Sequence, residues 1–466
     1  MQIVGRKREI AELTRLKESN QAEFVALYGR RRVGKTWLVR NYFQDQFTFY
    51  TTGIARGNRK EQLKNFYKSI CSYSKKNPEE PKDWYATFDL LKGVIKQSRQ
   101  RRKVVFLDEL PWMDTQKSEF LKAIDLFWNS WGCMQSNLLF IVCGSAASWM
   151  VKNIIRDKGG LHNRLTCHLH LAPFTLSETK SYLHSQGLRW SDETVAECYM
   201  IMGGIPYYLH LLDRSMSLAQ NVDRLFFAPN ALLKDEFDTL YKSLFKKSEE
   251  YVKIIAALSK RRSGYTRDDI VKATGLSNGG GLTRRLDELE HCNFIRRYNP
   301  VKGNTAIYQL VDFYSLFYFL FLDGKRRFDR DAWLHLQATP RYNTWLGLSF
   351  ERLCFAHIHA ILKGLGITGT ATNTYALLTP DAQMDMVIER ADKVTSLCEM
   401  KYSSRPYAMT AEEAKKIQHR EDEIAACFPT QKQVLVSLVT NRTPKKNEHY
   451  NSIISSNLAL ENLFDD

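Results

Sequence analysis

The sequence predicts an α/β protein: a parallel sheet around a phosphate-binding loop, followed by further helical and α/β modules. Three observations carry this expectation. Residues 29–36, GRRRVGKT, fit G-x-x-x-x-G-K-T between a strand-like run, FVALY (24–28), and a helix-like run, WLVRNYF (37–43). VVFLDEL (104–110) is an apolar run ending in two acids, as suits a strand buried on both faces of a parallel sheet. The last third repeats strand-like and helix-like stretches that carry a second set of acids and a lysine.

The loop explains its own residue types. Gly29 and Gly34 let the backbone bend, so that N–H groups of the loop (Arg30, Arg31, Arg32 and Val33) point inward at phosphate oxygens. The N-terminus of the next helix adds partial positive charge. Lys35 is expected to reach the β- and γ-phosphates of ATP, and the Thr36 hydroxyl to ligate Mg2+. Asp108 would hold that Mg2+ through its water shell, and Glu109 would orient or activate the attacking water.

Bulk properties set the frame. A chain of 466 residues has room for three or four domains, and 44% apolar residues with 12% aromatic suffice for real cores. The net charge of +16 favours an anionic partner, nucleic acid first, although a generally basic protein would look the same. The nine cysteines are scattered singly with no C-x-x-C pair, which argues against a zinc ribbon and fits a reducing cytosol. MQIVGRKREIAEL has no apolar signal core, and the longest apolar run, LFYFLFL (316–322), is too short to span a bilayer. The expected location is the cytoplasm, away from membrane.

In chain order, Ile3-Val4-Gly5-Arg6 leads into a helix, KREIAELTRLK. FTFYTTG (47–53) reads as a strand, and 56–102 as polar and basic helices ending in KQSRQRRK, most simply a solvated face. LLFIVCGSA (138–146) is a third apolar strand. Ser145 beyond its end would contact the γ-phosphate or the water, or else cap the next helix. GGLHNRLTCHLHL (159–171) ends strand-like. Its Arg164 suits either an arginine finger, in cis or from a neighbouring subunit of a homo-oligomer, or a surface position.

These motifs, with FWNSWG, LAPFTLSE (171–178) and GGIPYYL (203–209), make the first half resemble the archaeal-type P-loop ATPases, close to the AAA+ and STAND groups. The resemblance implies an ASCE-type sheet, in which the Walker B strand is not adjacent in sequence to the P-loop strand. It also implies Gly5 and Arg6 near the adenine, and a helical lid placing Pro206 near the base.

Residues 176–245 read as short helices with Ser177 and Ser191 as N-caps. From 248 the order is helix, helix with capping Thr266 and terminal Gly275, turn, helix, then a two-stranded ribbon: a winged helix-turn-helix. In a DNA-binding version Thr283, Arg284 and Arg285 would face the major groove, with Arg296, Arg297 and Lys302 on phosphates. A protein-packing module is the equal alternative. FYSLFYFLFL supplies a buried helix and DGKRRFDRD (323–331) a charged linker.

The tail begins with a helix, LGLSFERLCFAHIHAIL (346–362), carrying Glu351. An alternating strand within 374–392 puts Gln383, Asp385, Val387 and Glu389 on one parity, and Glu399 and Lys401 share a face of the next. Asp385, Glu399 and Glu351 would bind a divalent metal, and Lys401 would position or deprotonate the attacking water. With the helix AEEAKKIQHREDEIAACF (411–428), this set resembles the PD-(D/E)XK nuclease superfamily, a restriction-endonuclease-like α/β fold. The proline of the superfamily name is missing before Asp385. His357 and His359 at i,i+2 on a helix point apart and read as non-ligands.

The expected architecture is a P-loop core (1–175), helical lid (176–245), winged helix (246–325) and nuclease-like domain (326–466). The expected function is a DNA-acting ATPase whose ATP state gates a Mg2+-dependent tail. The alternative is a nucleotide-switched regulator with an inert tail.

Overall fold

The computed structural model describes residues 3–74, 78–156, 159–161, 163–245, 247–300, 305–324, 331–375 and 386–465. The chain divides into two compact units, Met1–Pro173 and Phe174–Asp466.

The first unit is built on five parallel strands: β1 (Glu23–Tyr28), β2 (Phe49–Thr52), β3 (Lys103–Asp108), β4 (Leu138–Gly144) and β5 (Cys167–His170). Their order is β2-β3-β4-β1-β5. β4 lies between β1 and β3, so the loops leaving β1, β4 and β3 emerge side by side at one edge. That edge is where open parallel sheets hold ligands. β1, β3 and β4 are buried almost throughout, which is why they read as apolar runs and not as alternation. β5 lies at the sheet edge, and its alternation leaves His168 and His170 exposed. The helices Arg59–Tyr73, Trp84–Gln97 and Phe120–Ser130 bring Phe66, Trp84, Phe88, Phe120 and Phe127 into one core with Phe24 and Phe140 of the sheet.

The second unit opens with helices. Ser191 caps Asp192–Met202, accepting from Thr194 N. Ser177 is not a cap: Thr175 caps Leu176–Ser185 in a reciprocal pair with Glu178, and Ser177 lies within the helix. Gly203 and Gly204 take φ of 67° and 63°, ending the helix before Pro206 starts another. A Cβ on Gly204 would stand 2.3 Å from the Phe174 carbonyl oxygen, so only glycine fits.

Next come the helix Ser248–Ser259, β6 (Tyr265–Thr266), the helices Arg267–Thr274 and Gly280–His291, β7 (Ile295–Tyr298) and β8 (Ile307–Leu310). Thr266 caps its helix with Asp269, and Gly275 ends it at φ 68°. The sheet has three antiparallel strands, β6-β8-β7, where the sequence predicts two. Gly264, at φ 82°, turns the chain so closely against Tyr308 that the next two residues pair with β8. Phe313–Leu322 is helical and packs against Phe226, Phe227, Trp333 and Trp345.

The tail carries a mixed sheet of β9 (Thr372–Tyr375), β10 (Met386–Arg390), β11 (Val394–Lys401), β12 (Gln433–Thr440) and β13 (Ile454–Ala459), in the order β13-β12-β11-β10-β9. β11, β12 and β13 run parallel, and β10 is antiparallel to β9 and β11. The helix Ala411–Cys427 crosses between β11 and β12 and buries Ile417 and Ile424 on the sheet. The single helix expected at 346–362 is two, Pro340–Ala356 and Ile358–Gly364, broken at His357. His357 binds backbone on both ring nitrogens: Nε2 accepts from Leu176 N at 2.9 Å, and Nδ1 lies 2.9 Å from Leu353 O. Among the described residues no helix is long and apolar enough to cross a membrane.

Candidate functional site

The loop after β1 closes over its own lysine. Gly29 has φ 151° and a Cβ there would lie 2.3 Å from the Leu171 carbonyl oxygen, while Gly34 has φ 89° in open space. Gly29 is therefore demanded by a close approach and Gly34 by backbone angle. Arg32, at φ 77°, completes the bend. Lys35 is buried, and its Nζ donates to the carbonyls of Gly29 and Arg30, each at 2.9 Å. Arg30 and Val33 are buried and Arg31 is exposed. Arg6, left-handed at φ 58°, reaches the loop by donating from Nη2 to the Val33 carbonyl at 3.2 Å, and Gly5 at φ 69° precedes it.

β3 and β1 bring Thr36 and Asp108 together, the Thr36 hydroxyl donating to Asp108 Oδ2 at 2.7 Å. A hydroxyl and a carboxylate oxygen side by side are the hard donors Mg2+ prefers, so these residues fit that ion. Burial pushes the Asp108 carboxyl above its ordinary value, and the Thr36 bond partly offsets this. Burial also pushes Tyr50, on β2, up to about 12, with the Asp108 charge adding to it.

Glu109 stands at φ 46° with its N–H donating to Asp108 Oδ1 at 2.9 Å. Ser145 meets it from the end of β4: its hydroxyl donates to Oε1, and its N–H to Oε2 at 3.2 Å. Ser145 does not cap the next helix, whose N-cap is Ala146 with no side-chain bond. Arg164 is exposed in the turn before β5, and Pro206 begins a helix of the second unit.

In the tail, β11 holds Glu399 buried and Lys401 half-buried on one face. Lys401 Nζ is 2.7 Å from Glu399 Oε1, and Arg420 Nη1 donates to Oε2 at 2.7 Å. Glu351 is also taken by a cation: Arg262 Nε donates to Oε2 at 2.7 Å and Nη2 reaches Oε1. Gln383 and Asp385 lie outside the described residues. Among the described residues no group of three or more His, Cys, Asp or Glu is placed to hold a metal ion. The acids as paired here do not fit a metal. Glu389, expected on the parity of Asp385, accepts from Tyr375 OH at 2.9 Å.

Sequence reasoning missed the two arginines. Arg420 was findable, because it falls on the helical face of Ile417 and Ile424 at spacings of three and four. Arg262 gives no local signal, being 89 residues from Glu351.

Two expected DNA contacts turn inward. Arg285 pairs with Glu250. Arg296 stacks over the Phe355 ring at 3.8 Å and donates to Gln309 at 2.7 Å, and burial lowers its pKa to about 10. Thr283 accepts from Arg267 at 3.0 Å. Arg284 and Arg297 remain exposed, and Lys302 lies outside the described residues.

A further set joins the tail to the helix Asp192–Met202. Tyr402, next to Lys401, donates to Glu197 at 3.0 Å. Asn441 and Arg442, just past β12, donate to Glu193 at 3.0 Å and, through Arg442 Nη2, at 2.8 Å. Burial raises the Glu197 carboxyl above its ordinary value.

Residues 3–212 match the model of an ATPase domain predominantly from Archaea. An uncharacterized protein of Methanocaldococcus jannaschii is 26% identical over 359 residues, covering 75% of this chain and 76% of its own. An uncharacterized ATP-binding protein of the same organism is 44% identical over 43 residues, 9% of this chain and 73% of that one. Among solved structures, a Walker-type ATPase of Pyrococcus abyssi aligns over 68% of this chain and 96% of its own, with a TM-score of 0.51 at 19% identity. The ORC2 protein of Aeropyrum pernix, solved in ADPNP–ADP complexes, aligns over 66% and 90%, with a TM-score of 0.35 at 14% identity. The Pyrococcus likeness is one of fold.

Proposed function

We propose, for a P-loop ATPase whose residues 3–212 belong to the predominantly archaeal ATPase domain family, that nucleotide state at the P-loop controls a DNA-acting tail. Lys35 and the loop from Gly29 to Val33 bind the ATP phosphates, and Gly5 and Arg6 brace the loop on the base side. Thr36 and Asp108 hold Mg2+, which when bound neutralises phosphate charge. Glu109 takes the proton of the attacking water, and Ser145 lies beside it at the γ-phosphate end. Arg164 completes the site of the same or a neighbouring subunit. In the tail, Lys401 positions or deprotonates the water that attacks the phosphodiester.

The observation that carries the coupling is the pairing of Glu193 and Glu197 with Arg442, Asn441 and Tyr402. The helix that follows the P-loop core thereby grips the ends of β11 and β12, one residue from Lys401. The net charge of +16, with Arg284 and Arg297 exposed, supports nucleic acid as the partner. The test is incubation of the full chain with plasmid and linear DNA in Mg2+ or Mn2+, with and without ATP. Cleavage is expected that Lys401→Ala abolishes and Lys35→Ala uncouples from ATP. Cleavage unchanged in Lys35→Ala would refute the coupling.

A second reading has its own support. Glu351 and Glu399 are each neutralised by cations, as an inert scaffold would be. A nucleotide-switched regulator predicts ATP turnover and nucleotide-dependent association, with no DNA cleavage under any of these conditions.

A further inference from the structure

Four segments far apart in sequence enclose a cavity of about 440 Å³ in the second unit: the helix Asp192–Met202, the start of the helix Pro340–Ala356, the turn after β11 and the residue after β12. A cavity of that size accommodates a small molecule. Glu193 and Glu197, one helical turn apart, line it with Tyr342, Leu346, Tyr402 and Arg442.

The two carboxylates are not equivalent. Glu193 is satisfied by a cation: Arg442 forks onto it, from Nε at 3.1 Å and Nη2 at 2.8 Å, and Asn441 adds a bond at 3.0 Å. Glu197 has neutral neighbours. The Tyr402 hydroxyl donates to Oε1 at 3.0 Å, and the Tyr342 hydroxyl faces the same carboxylate. Among the described residues no lysine or arginine forms an ion pair with Glu197. Burial and the Glu197 charge hold both phenols above their ordinary value, so they stay neutral. Burial also raises the Glu197 carboxyl; the Tyr402 bond partly offsets this, and the Glu193 charge pushes it further up.

A carboxylate on a cavity wall with no cation of its own is matched by a cation that enters the cavity. Phenol rings favour the same charge, and with Leu346 they cover an alkyl stem. An anion would meet two carboxylates. A divalent metal is a poor match, because Glu193 is already taken by Arg442 and a metal needs several oxygen ligands.

We propose that this cavity binds a small organic cation, an alkyl chain ending in a primary ammonium or a guanidinium, with its charge on Glu197 and its stem against Tyr342, Tyr402 and Leu346. Such a ligand touches the helix Asp192–Met202 and the tail at once, so its binding strengthens the grip between them. The site stands on the cavity and does not rest on the tail acting on DNA.

The test is calorimetric titration of the nucleotide-free full chain with agmatine, with a capped peptide carrying a single lysine, and with succinate as the anionic control. Agmatine is expected to bind with a Kd below about 1 mM, and succinate not to bind. Glu197→Gln keeps the shape and removes the charge, and should weaken agmatine at least about tenfold. Asn343→Trp fills the cavity from its exposed rim with Glu197 intact. It should weaken binding as much, and covers poor folding of the glutamine variant. Binding of the peptide in place of agmatine would support the same site with the cation supplied by a partner's side chain. No binding of either cation to the unaltered chain, binding unchanged in both variants, or equal binding of succinate would overturn the proposal.

Discussion

The P-loop edge and the tail each gather acids beside a lysine, yet they hold them by opposite means. At the P-loop edge, backbone and neutral groups do the positioning. Lys35 is held by two carbonyls, Asp108 by a hydroxyl and an amide, and Glu109 by the hydroxyl and amide of Ser145. In the tail, cations do it: Arg262 on Glu351, and Lys401 with Arg420 on Glu399. The first arrangement leaves charge available to a phosphate and an ion. The second spends it internally, on ion pairs within the chain.

The sharpest break of this comparison is Lys35→Ala. Nucleotide affinity, read with a fluorescent analogue, is expected to fall at least about a hundredfold, since the charge-assisted phosphate contact goes. Glu109→Gln should lower turnover by about a hundredfold to ten-thousandfold with nucleotide affinity kept. Loss of affinity instead would make Glu109 a binding group. Gly29→Ala drives a Cβ into the Leu171 carbonyl, and chemical unfolding should show a loss of about 1–3 kcal/mol. Arg420→Ala leaves Glu399 with Lys401 alone. Arg420 is partly exposed and the buried Glu399 keeps its pair with Lys401, so a smaller loss, about 1–2 kcal/mol, is expected. A loss as large as that of Gly29→Ala would show the cation pairs to be as structural as the loop.

The smallest effect is a pH dependence. Burial raises Glu197 above its ordinary 4.5. Between that value and the raised one, the folded chain keeps a proton that the unfolded chain has lost. Its contribution to stability is therefore present at low pH and fades as pH rises through the raised value. Glu197→Gln should flatten the melting-temperature profile across that window. An unaltered profile would place the titrating group elsewhere.

Legibility in the sequence followed the same divide. The strands β1, β3 and β4 were readable because full burial writes an unbroken apolar run, and GRRRVGKT because Gly29, Gly34, Lys35 and Thr36 stand together in one contiguous stretch. The tail was readable at β11, where Glu399 and Lys401 share a face by strand period, and at the helix Ala411–Cys427, expected at 411–428. β9 and β10 could not be separated by alternation, because antiparallel neighbours share a period. Arg285 and Arg296 looked like groove-facing cations, but Glu250 and the Phe355 ring, neither adjacent in sequence, turn them inward. Ser177 lost its place as cap to Thr175, two residues earlier, whose box with Glu178 is equally visible in the sequence.

The most direct test of the coupling is amide hydrogen exchange at Tyr402–Ser404 and Asn441–Arg442, compared between nucleotide-free chain and chain saturated with a slowly hydrolysed ATP analogue. The account predicts faster exchange in the presence of the analogue, and no change in Lys35→Ala. Identical exchange in both states of the unaltered chain, with the analogue bound, would contradict it.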